Sequence, residues 1–401
     1  MKTADSVVPS FDDDAVDMAR LRERAYAMRW ATLPEGVIPL TAADPDFPVA
    51  PVIRDAVKEY LDGGLLGYGP PEGLPGFRAA AAGMLERRRG IRASPEEILA
   101  TDGVASAMHL VARFALKPGD EALIFDPVDF LFKQSVEAAG GRAVYNRVDT
   151  ATGAIDFDAL SRAIGKRTRL LCVCNPINPL GRVLTRDELL ALGGLAVEHG
   201  LWILADEVWS DIVYPPHQHL SIATLAPEIA ARTITLMGTS KSFGLAGLRV
   251  GFLHAPNPEI ADALTELSGA RTTAFGVSTL SQVAATAAFT RAYPWVEAFL
   301  KHLERMRDLV VERLNAIDGV SCRRPEGTYV AFPDIRRLGL SSEALAEYLL
   351  REARVAVVPG APRWFGPGAE GHIRICFSTS KGILTQALDR IEDALRRLGS
   401  R

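Results

Sequence analysis

Short apolar runs alternate with amphipathic stretches through the middle of the chain. Each run is bounded by glycine, proline or polar residues, as is typical of buried strands, whereas apolar residues in the stretches between them recur with the period of a helix. This alternation predicts a mostly parallel sheet covered by helices on both faces. The predicted strands of this sheet are 98–101, 121–125, 142–146, 170–174, 202–205, 233–237 and 250–255.

Further helices are predicted before the first strand and after the last strand of this sheet. Thr185 and Glu188 have the spacing of a capping box, which predicts a helix start. After a long helix that begins past Pro294, the apolar runs 327–333, 355–358 and 373–378 predict a smaller α+β unit. The predicted helices are 17–29, 51–61, 74–89, 104–115, 187–199 and the long helix from Pro294 to about residue 317.

The length of 401 residues is sufficient for one large and one small domain. We predict an α/β fold with an N-terminal arm that contributes to the small domain (1–48), a large ligand-binding domain (49–292) and a small C-terminal domain (293–401). In open α/β sheets, ligands bind beyond the carboxyl ends of the strands. Unusual polar residues follow several of the predicted strands, so we expect a ligand site there.

Composition and charge narrow the classes of function. Hydrophobic residues at 48%, charged residues at 23% and a formal net charge of -4 are typical of a soluble globular protein without a nucleic-acid or membrane partner. Residues 1–5 lack an apolar signal-peptide core, and no apolar run is long enough to span a bilayer, so a cytoplasmic location is expected. The four cysteines are expected to pack in the core, and no set of His, Cys and carboxylate residues has zinc spacing.

Lys241 is the principal candidate for chemistry. It stands between the apolar run 233–237 and a glycine-spaced turn, and Arg249 follows eight residues later. Burial lowers the pKa of a lysine, so that its neutral amine can condense with an aldehyde, and a guanidinium suits a phosphate. Together they indicate pyridoxal phosphate held as a Schiff base. The alternative is that Lys241 is a solvated surface lysine. The polar residues described next make this alternative less favoured.

Other polar residues at predicted strand ends suit the same cofactor. Asn178, between two prolines, could donate to the phenolic oxygen, and Asp206 could pair with the protonated pyridine nitrogen. Arg374 lies in an otherwise apolar run and suits a substrate carboxylate, with a structural ion pair as the alternative. The helix start after strand 98–101 offers backbone amides to an anion. The residues at this helix start are Gly103, Val104 and Ala105.

The chain resembles the class I/II aminotransferases, which are fold-type I pyridoxal phosphate-dependent enzymes, from about Leu40 to the C-terminus. The segments that carry the resemblance are 175–181, 205–207, 240–244, 247–251 and 371–375. It implies a large domain with a mostly parallel seven-stranded sheet between helices, a smaller α+β domain, and a homodimer with active sites at the subunit interface. It also implies that Tyr68 reaches the phosphate of the neighbouring subunit.

The resemblance also implies roles for individual residues. Lys241 is expected to be the Schiff-base lysine and proton shuttle. The other implied contacts are Asp206 at the pyridine nitrogen, Asn178 near the phenolic oxygen, Ser240, Arg249 and the amides of residues 103–105 around the phosphate, and Arg374 on the α-carboxylate. Arg271 lies near where the family can send an arginine into the neighbour's pocket to bind a distal carboxylate, with a helix-end or surface arginine as the alternative.

Three positions depart from the family pattern. Asp129 stands where the family has a ring-stacking aromatic, so either Phe130 or Phe132 takes its place or Asp129 contacts substrate directly. Trp209 replaces a tyrosine that would meet the phenolic oxygen, and its indole has one donor and no acceptor. Gly238 replaces a phosphate-binding serine, so the guanidinium and the backbone amides must compensate.

The sequence leaves the reaction type open. The first hypothesis is ping-pong transamination between an amino acid and a keto acid, with Lys241 as the general base that removes the Cα proton. The alternative is β-elimination, replacement, racemisation or a carbon–carbon step. Asp129 and Trp209 favour it, and stretches 41–47 and 206–213 resemble carbon–sulfur lyases similar to cystathionine β-lyase. The first stretch includes Ala43 as a candidate substrate contact.

A non-catalytic cofactor-sensing domain is a further alternative. It is disfavoured because the first ~35 residues are too short and too acidic for a DNA-binding module.

Overall fold

A computed structural model describes residues 10–399. Residues 1–9 and 400–401, and with them the predicted lack of a signal-peptide core at residues 1–5, lie outside the described residues. The strands, numbered along the chain, are β1 (Ile38–Pro39), β2 (Ile98–Thr101), β3 (Glu121–Asp126), β4 (Arg142–Arg147), β5 (Thr168–Cys174), β6 (Trp202–Asp206), β7 (Thr233–Gly238), β8 (Gly251–His254), β9 (Val330–Ala331), β10 (Val355–Ala356), β11 (Val358–Pro359) and β12 (Ile373–Cys376).

The central sheet has seven strands in the order β2-β8-β7-β6-β5-β3-β4. The strands from β4 across to β7 are parallel, and β8 runs antiparallel to both of its neighbours. The predicted, mostly parallel seven-stranded sheet is therefore confirmed. Alternate side chains of a strand point to opposite faces, so Leu99 and Leu253 pack in one hydrophobic cluster while Ile98 and Phe252 pack in the other.

The helices follow the predicted amphipathic stretches closely. The helix predicted over 187–199 begins at the Thr185 capping box, where the Thr185 hydroxyl accepts from the Glu188 backbone N–H at 3.3 Å. The helices are α1 (Met18–Arg24), α2 (Pro51–Asp62), α3 (Pro75–Arg89), α4 (Val104–Ala115), α5 (Phe130–Ala138), α6 (Phe157–Ala163), α7 (Arg186–Glu198), α8 (Pro227–Ala230), α9 (Pro258–Ser268), α10 (Thr279–Arg291), α11 (Tyr293–Asn315), α12 (Ser342–Tyr348), α13 (Pro362–Phe365) and α14 (Lys381–Gly399).

The first helix is shorter than the sequence pattern predicts. The prediction of a helix over 17–29 is wrong at its C-terminal end, because α1 stops at Arg24 and Met28 has a φ of 54°. Past this turn the side chains of Arg29 and Trp30 both donate to the carboxylate of Asp46. The Arg29–Asp46 ion pair is buried and fastens the N-terminal segment to the loop that follows β1.

The small C-terminal sheet has the order β11-β12-β9, and its pairings are antiparallel. The N-terminal segment joins this part of the molecule, since β1 pairs with β10 in parallel. The predicted strands 327–333 and 373–378 are shortened to β9 and β12. The domain boundaries at 48/49 and 292/293 stay predictions.

Candidate active site

A cavity of about 300 Å³ opens at the carboxyl ends of the central strands. Its walls are the segments that follow β2, β3, β5, β6 and β7, together with residues of α13 and β12. Of the predicted site residues, Tyr68 and Arg271 do not line this cavity. The predicted residues that do are Ala43, Gly103, Val104, Ala105, Asp129, Phe130, Asn178, Asp206, Trp209, Ser240, Lys241, Arg249 and Arg374.

Lys241 lies in the turn that follows β7. Its Nζ donates to the carbonyl of Ala43 at 2.8 Å and lies 5.3 Å from the ring centre of Trp209. Burial lowers the pKa of Lys241, and the positive charge of Arg374 acts in the same direction, although the Asp44 carboxylate opposes both. A larger fraction of this amine is therefore neutral, and able to act as nucleophile or base, than of a surface lysine.

Asp206 is the last residue of β6 and is buried. Its Oδ1 accepts a hydrogen bond from the backbone N–H of Val208 at 3.1 Å. Burial raises the pKa of Asp206 to about 7, and the negative charges of Asp129 and Glu207 add to the rise. A buried carboxylate with so few compensating partners is stabilised by any cation that reaches it, such as a protonated ring nitrogen.

The start of α4 forms an anion cradle with Arg249. Gly103 is the N-cap and has a φ of 87°. Nη2 of Arg249 donates to the Asp102 carbonyl at 2.9 Å, and a Cβ on Gly103 would approach that Nη2 to 3.1 Å. Glycine therefore lets the guanidinium sit against the helix N-terminus, where free backbone amides favour an anion. With Ser240 on the same wall, the donor set fits a phosphate.

Gly238 stands where the family pattern has a phosphate-binding serine. The glycine is closely packed against the start of α4. A Cβ at Gly238 would lie 3.0 Å from Cγ2 of Val104, the first residue of α4. A Cβ at the facing Gly251 would lie 3.1 Å from the Val104 backbone nitrogen. The two glycines allow β7 and β8 to approach the helix start closely, so a larger side chain would push away the backbone amides of the cradle.

Asn178 bridges the two charged residues at the other end of the cavity. Its Nδ2 donates to Oδ2 of Asp129 at 2.8 Å, and its Oδ1 accepts from Nη1 of Arg374 at 3.2 Å. Arg374 also donates to the Thr41 carbonyl at 3.1 Å, while its Nε is enclosed without a partner among the described residues. The amide orientation of Asn178 is thus fixed by one acceptor and one donor.

Asp129 has a structural role as well as a place in the cavity. It is the N-cap of α5, and its Oδ1 accepts from the Leu131 backbone N–H at 3.1 Å. Burial raises the pKa of Asp129, although Arg374 is the strongest of the groups that oppose this rise. Burial also lowers the pKa of Arg374. The two side chains therefore stabilise each other's charge through the shared amide.

Aromatic residues line the cavity beside Asp129. Phe130 and Phe132 both contribute to its wall, and Phe130 meets the edge of Trp364 with ring centroids 5.5 Å apart. The guanidinium of Arg374 lies over the ring of Phe365, 5.1 Å from its centre. Trp364 and Phe365 belong to the short helix α13, whose sequence carries no motif that would have indicated a role in the site.

Tyr329 also contributes to the site and was not predicted from the sequence. Its hydroxyl donates to the Ala43 carbonyl at 3.2 Å, so this oxygen accepts from both Tyr329 and Lys241. The ring of Tyr329 meets Trp209 edge to face at 4.6 Å. This contact holds the indole of Trp209 beside the lysine amine.

Tyr68 and Arg271 lie away from the cavity within this chain. Tyr68 is 89% exposed, and its ring is 5.4 Å from that of Phe275. Arg271 makes ion pairs with Glu72, with Glu266 and with a third carboxylate on α9. These contacts are the surroundings of a surface arginine at a helix end, and its predicted role in a neighbour's pocket stays a prediction.

Within residues 10–399, no group of three or more His, Cys, Asp or Glu residues is placed to hold a metal ion. Over the same residues, no helix has both the length and the apolar character needed to cross a membrane.

Comparisons with known proteins match nearly the whole chain. The family described as aminotransferase class I and II matches residues 35–391. The aspartate aminotransferase of Pyrococcus abyssi is 35% identical to this chain over 387 residues, which span 96% of this chain and 98% of that protein. Cystathionine beta-lyase PatB of Bacillus subtilis is 31% identical over 362 residues, 89% of this chain and 92% of that protein.

A solved structure agrees with this match. A PLP-bound proposed aminotransferase from Clostridium difficile 630 superposes with a TM-score of 0.86 at 30% identity, covering 93% of this chain and 97% of that one. The sequence relatives thus include both transaminases and a lyase.

Proposed function

The chain belongs to the class I and II aminotransferase family, and we propose that it transfers the amino group of an α-amino acid to a keto acid. It has the fold-type I architecture, and its cofactor is pyridoxal phosphate. The observation that carries the proposal is the amine of the half-buried Lys241, with its lowered pKa, in a cavity that also contains Arg249 and Arg374. A neutral amine, a phosphate ligand and a carboxylate ligand are what this reaction needs from the chain.

The donors and acceptors of the cavity fit the cofactor. Arg249, Ser240 and the backbone amides at the start of α4 would hold the phosphate. Asp206 would pair with the ring nitrogen, and the Asn178 amide would reach the phenolic oxygen. Bound pyridoxal phosphate supplies a carbon that links amines covalently and a ring that takes up the electron pair left by a departing proton.

Lys241 has two tasks in this proposal. Its Nζ would hold the cofactor covalently and, once released by the substrate amine, would accept the proton from the substrate Cα. The lowered pKa favours the neutral amine that such a base requires. The Ala43 carbonyl and the Trp209 ring hold Nζ in place, and Arg374 would orient the substrate through its carboxylate.

β-Elimination is the second candidate. It is favoured by Asp129 and Trp209, which replace aromatic and phenolic groups beside Lys241, and by the similarity to a cystathionine β-lyase. Both reactions would begin with deprotonation of Cα by Lys241. They differ in the next step, because elimination expels a substituent from Cβ whereas transamination transfers the amino group.

Product analysis separates the two candidates. We expect the purified holoenzyme, given L-amino acids and a keto acid, to form a new amino acid, and we expect Lys241→Ala to form none. The exposed substitution Asp158→Asn, on α6, should leave the rate unchanged. Pyruvate with ammonia or a thiol, released without amino transfer, would overturn transamination in favour of elimination.

We further propose a homodimer in which Tyr68 completes the partner's site. The support is an exposed apolar group, because Tyr68 is 89%, Leu65 84% and Phe275 57% exposed. The proposal predicts that Lys241→Ala and Tyr68→Ala chains, mixed and reassembled, recover activity above the sum of the two variants alone. A hybrid dimer then contains one site with both residues intact. Strict additivity of the two activities would contradict a shared site. The cytoplasmic location stays a prediction.

A further inference from the structure

We propose that Asp129 sets the substrate preference of this enzyme, favouring α-amino acids whose side chain carries a positive charge over neutral and dicarboxylic ones. The inference rests on the proposed function, since it places the α-carboxylate of the substrate at Arg374. It concerns a residue that departs from the family pattern, so it makes this chain differ from its relatives.

With the proposed cofactor bound, each charge that lines the cavity has a partner, and the partner of Asp129 is Arg374. Among the described residues on the wall, the cations are Lys241, Arg249 and Arg374 and the anions are Asp129 and Asp206. In the proposed function, Arg249 serves the phosphate, Asp206 the ring nitrogen and Lys241 the covalent link. Arg374 and Asp129 remain, and the Asn178 amide joins them.

Substrate binding disturbs this remaining pair. An α-carboxylate at Arg374 makes the guanidinium serve two anions, and Asp129 keeps as hydrogen-bond donors the N–H groups of Asn178 and Leu131, while Lys241 is engaged by the covalent link. A carboxylate in a closed cavity without a cation is costly. A guanidinium or ammonium on the substrate side chain restores the balance, whereas a second carboxylate adds repulsion.

The walls near Asp129 suit a cation better than an anion. Each carboxylate oxygen of Asp129 accepts one hydrogen bond in the structure and has capacity for another. The rings of Phe130 and Trp364 lie beside it, and aromatic faces attract cations.

The surroundings of Arg271 point in the same direction. It is the arginine that the sequence suggested for a distal carboxylate, and in the structure three carboxylates of its own chain already surround it. A dicarboxylic substrate would therefore have to compete with these ion pairs for its guanidinium.

Binding of unreactive carboxylates tests the proposal without any turnover. δ-Guanidinovalerate, hexanoate and adipate have similar lengths and lack an α-amino group, but their far ends are positive, neutral and negative. Isothermal titration calorimetry on the holoenzyme should give a dissociation constant for δ-guanidinovalerate at least about tenfold below that for hexanoate, with adipate the weakest. Hexanoate or adipate binding as tightly as the guanidino acid, or none of the three binding, would overturn the proposal.

Matched variants assign the preference to the charge of Asp129. Asp129→Asn keeps a side-chain oxygen that can cap α5 but removes the charge, so the ratio between δ-guanidinovalerate and hexanoate should fall to about one. Asp129→Glu keeps the charge and should retain at least part of the ratio. The exposed Asp158→Asn should retain all of it. A ratio that persists in Asp129→Asn contradicts the assignment.

The same experiment distinguishes this inference from the proposed function. If Lys241 still carries the cofactor and amino transfer occurs while the guanidino acid shows no advantage, only the inference fails. If amino transfer is absent, the proposed function fails whatever the order of the three ligands.

Discussion

Asp206 and Glu207 are neighbours in the chain and both are buried, but the pKa values of their carboxyl groups are shifted in opposite directions. The Glu207 carboxylate accepts from the Ser221 hydroxyl at 2.6 Å and contacts Nε2 of His219 at 3.1 Å. Burial alone would raise the pKa of Glu207, but His219 leads the groups that outweigh it, and the pKa lies below its usual value. For Asp206 burial prevails, and the pKa rises to about 7.

The two carboxylates differ in whether their partners come from the chain itself. Glu207 has two side-chain partners in its own chain, Ser221 and His219. Asp206 faces the cavity with one backbone hydrogen bond, and the charge of Lys241 offsets only part of the rise in its pKa, so a ligand cation would compensate it further. The contrast indicates that Glu207 is compensated within the chain, whereas Asp206, the proposed partner of the cofactor's ring nitrogen, is left with fewer partners.

The largest effect is expected from removing the charge of Asp206. Asp206→Asn should lower kcat/KM for amino transfer by about a hundredfold or more, because the ring nitrogen loses its counter-charge. The variant should still fold, since its one observed hydrogen bond can be made by an amide. Initial rates with a saturating cofactor concentration measure the effect. Full activity in Asp206→Asn would contradict a functional role for the charge of Asp206.

A substitution at Glu207 should affect stability instead. Glu207→Gln leaves His219 without its carboxylate partner, so the free energy of unfolding should fall by about 2 to 4 kcal/mol. The folded fraction should keep kcat/KM within about tenfold of the original, since Glu207 does not line the cavity. Denaturant unfolding measures the loss, and the exposed Glu228→Gln serves as the control. Unchanged stability with lost activity would reverse the roles assigned to the two neighbours.

Much of the site could be predicted from the sequence because it lies at strand ends. The apolar runs predicted β5, β6 and β7 as strands of one mostly parallel sheet, and Asn178, Asp206 and Lys241 lie at or shortly after the carboxyl ends of these strands. Parallel strands bring their carboxyl ends to one edge of the sheet, so sequence order was sufficient to bring these residues together.

Other parts of the site depend on contacts that no local pattern reveals. Trp364 lines the cavity, and Tyr329 contacts Ala43 and Trp209 of its wall. Both come from distant segments, and neither has a motif around it. The early end of α1 results from the ion pair of Arg29 with Asp46, which competes with the helical pattern. The sequence showed that Asp129 departs from the family pattern, but its hydrogen bond with Asn178 is seen only in the structure.

The most direct test of the account is the pH dependence of apoprotein stability. A carboxyl group with a pKa near 7 in the folded state and near 3.8 in the unfolded state binds more protons when folded, so its contribution falls as pH rises between these values. The free energy of unfolding of Asp206→Asn apoprotein, relative to the unsubstituted apoprotein, should therefore increase by about 2 to 3 kcal/mol from about pH 5 to about pH 8.

Saturation with pyridoxal phosphate should abolish that increase, because the ring nitrogen then compensates the Asp206 carboxylate. A difference between the two apoproteins that stays constant over this range would contradict the account, since Asp206 would then have no need of a ligand cation.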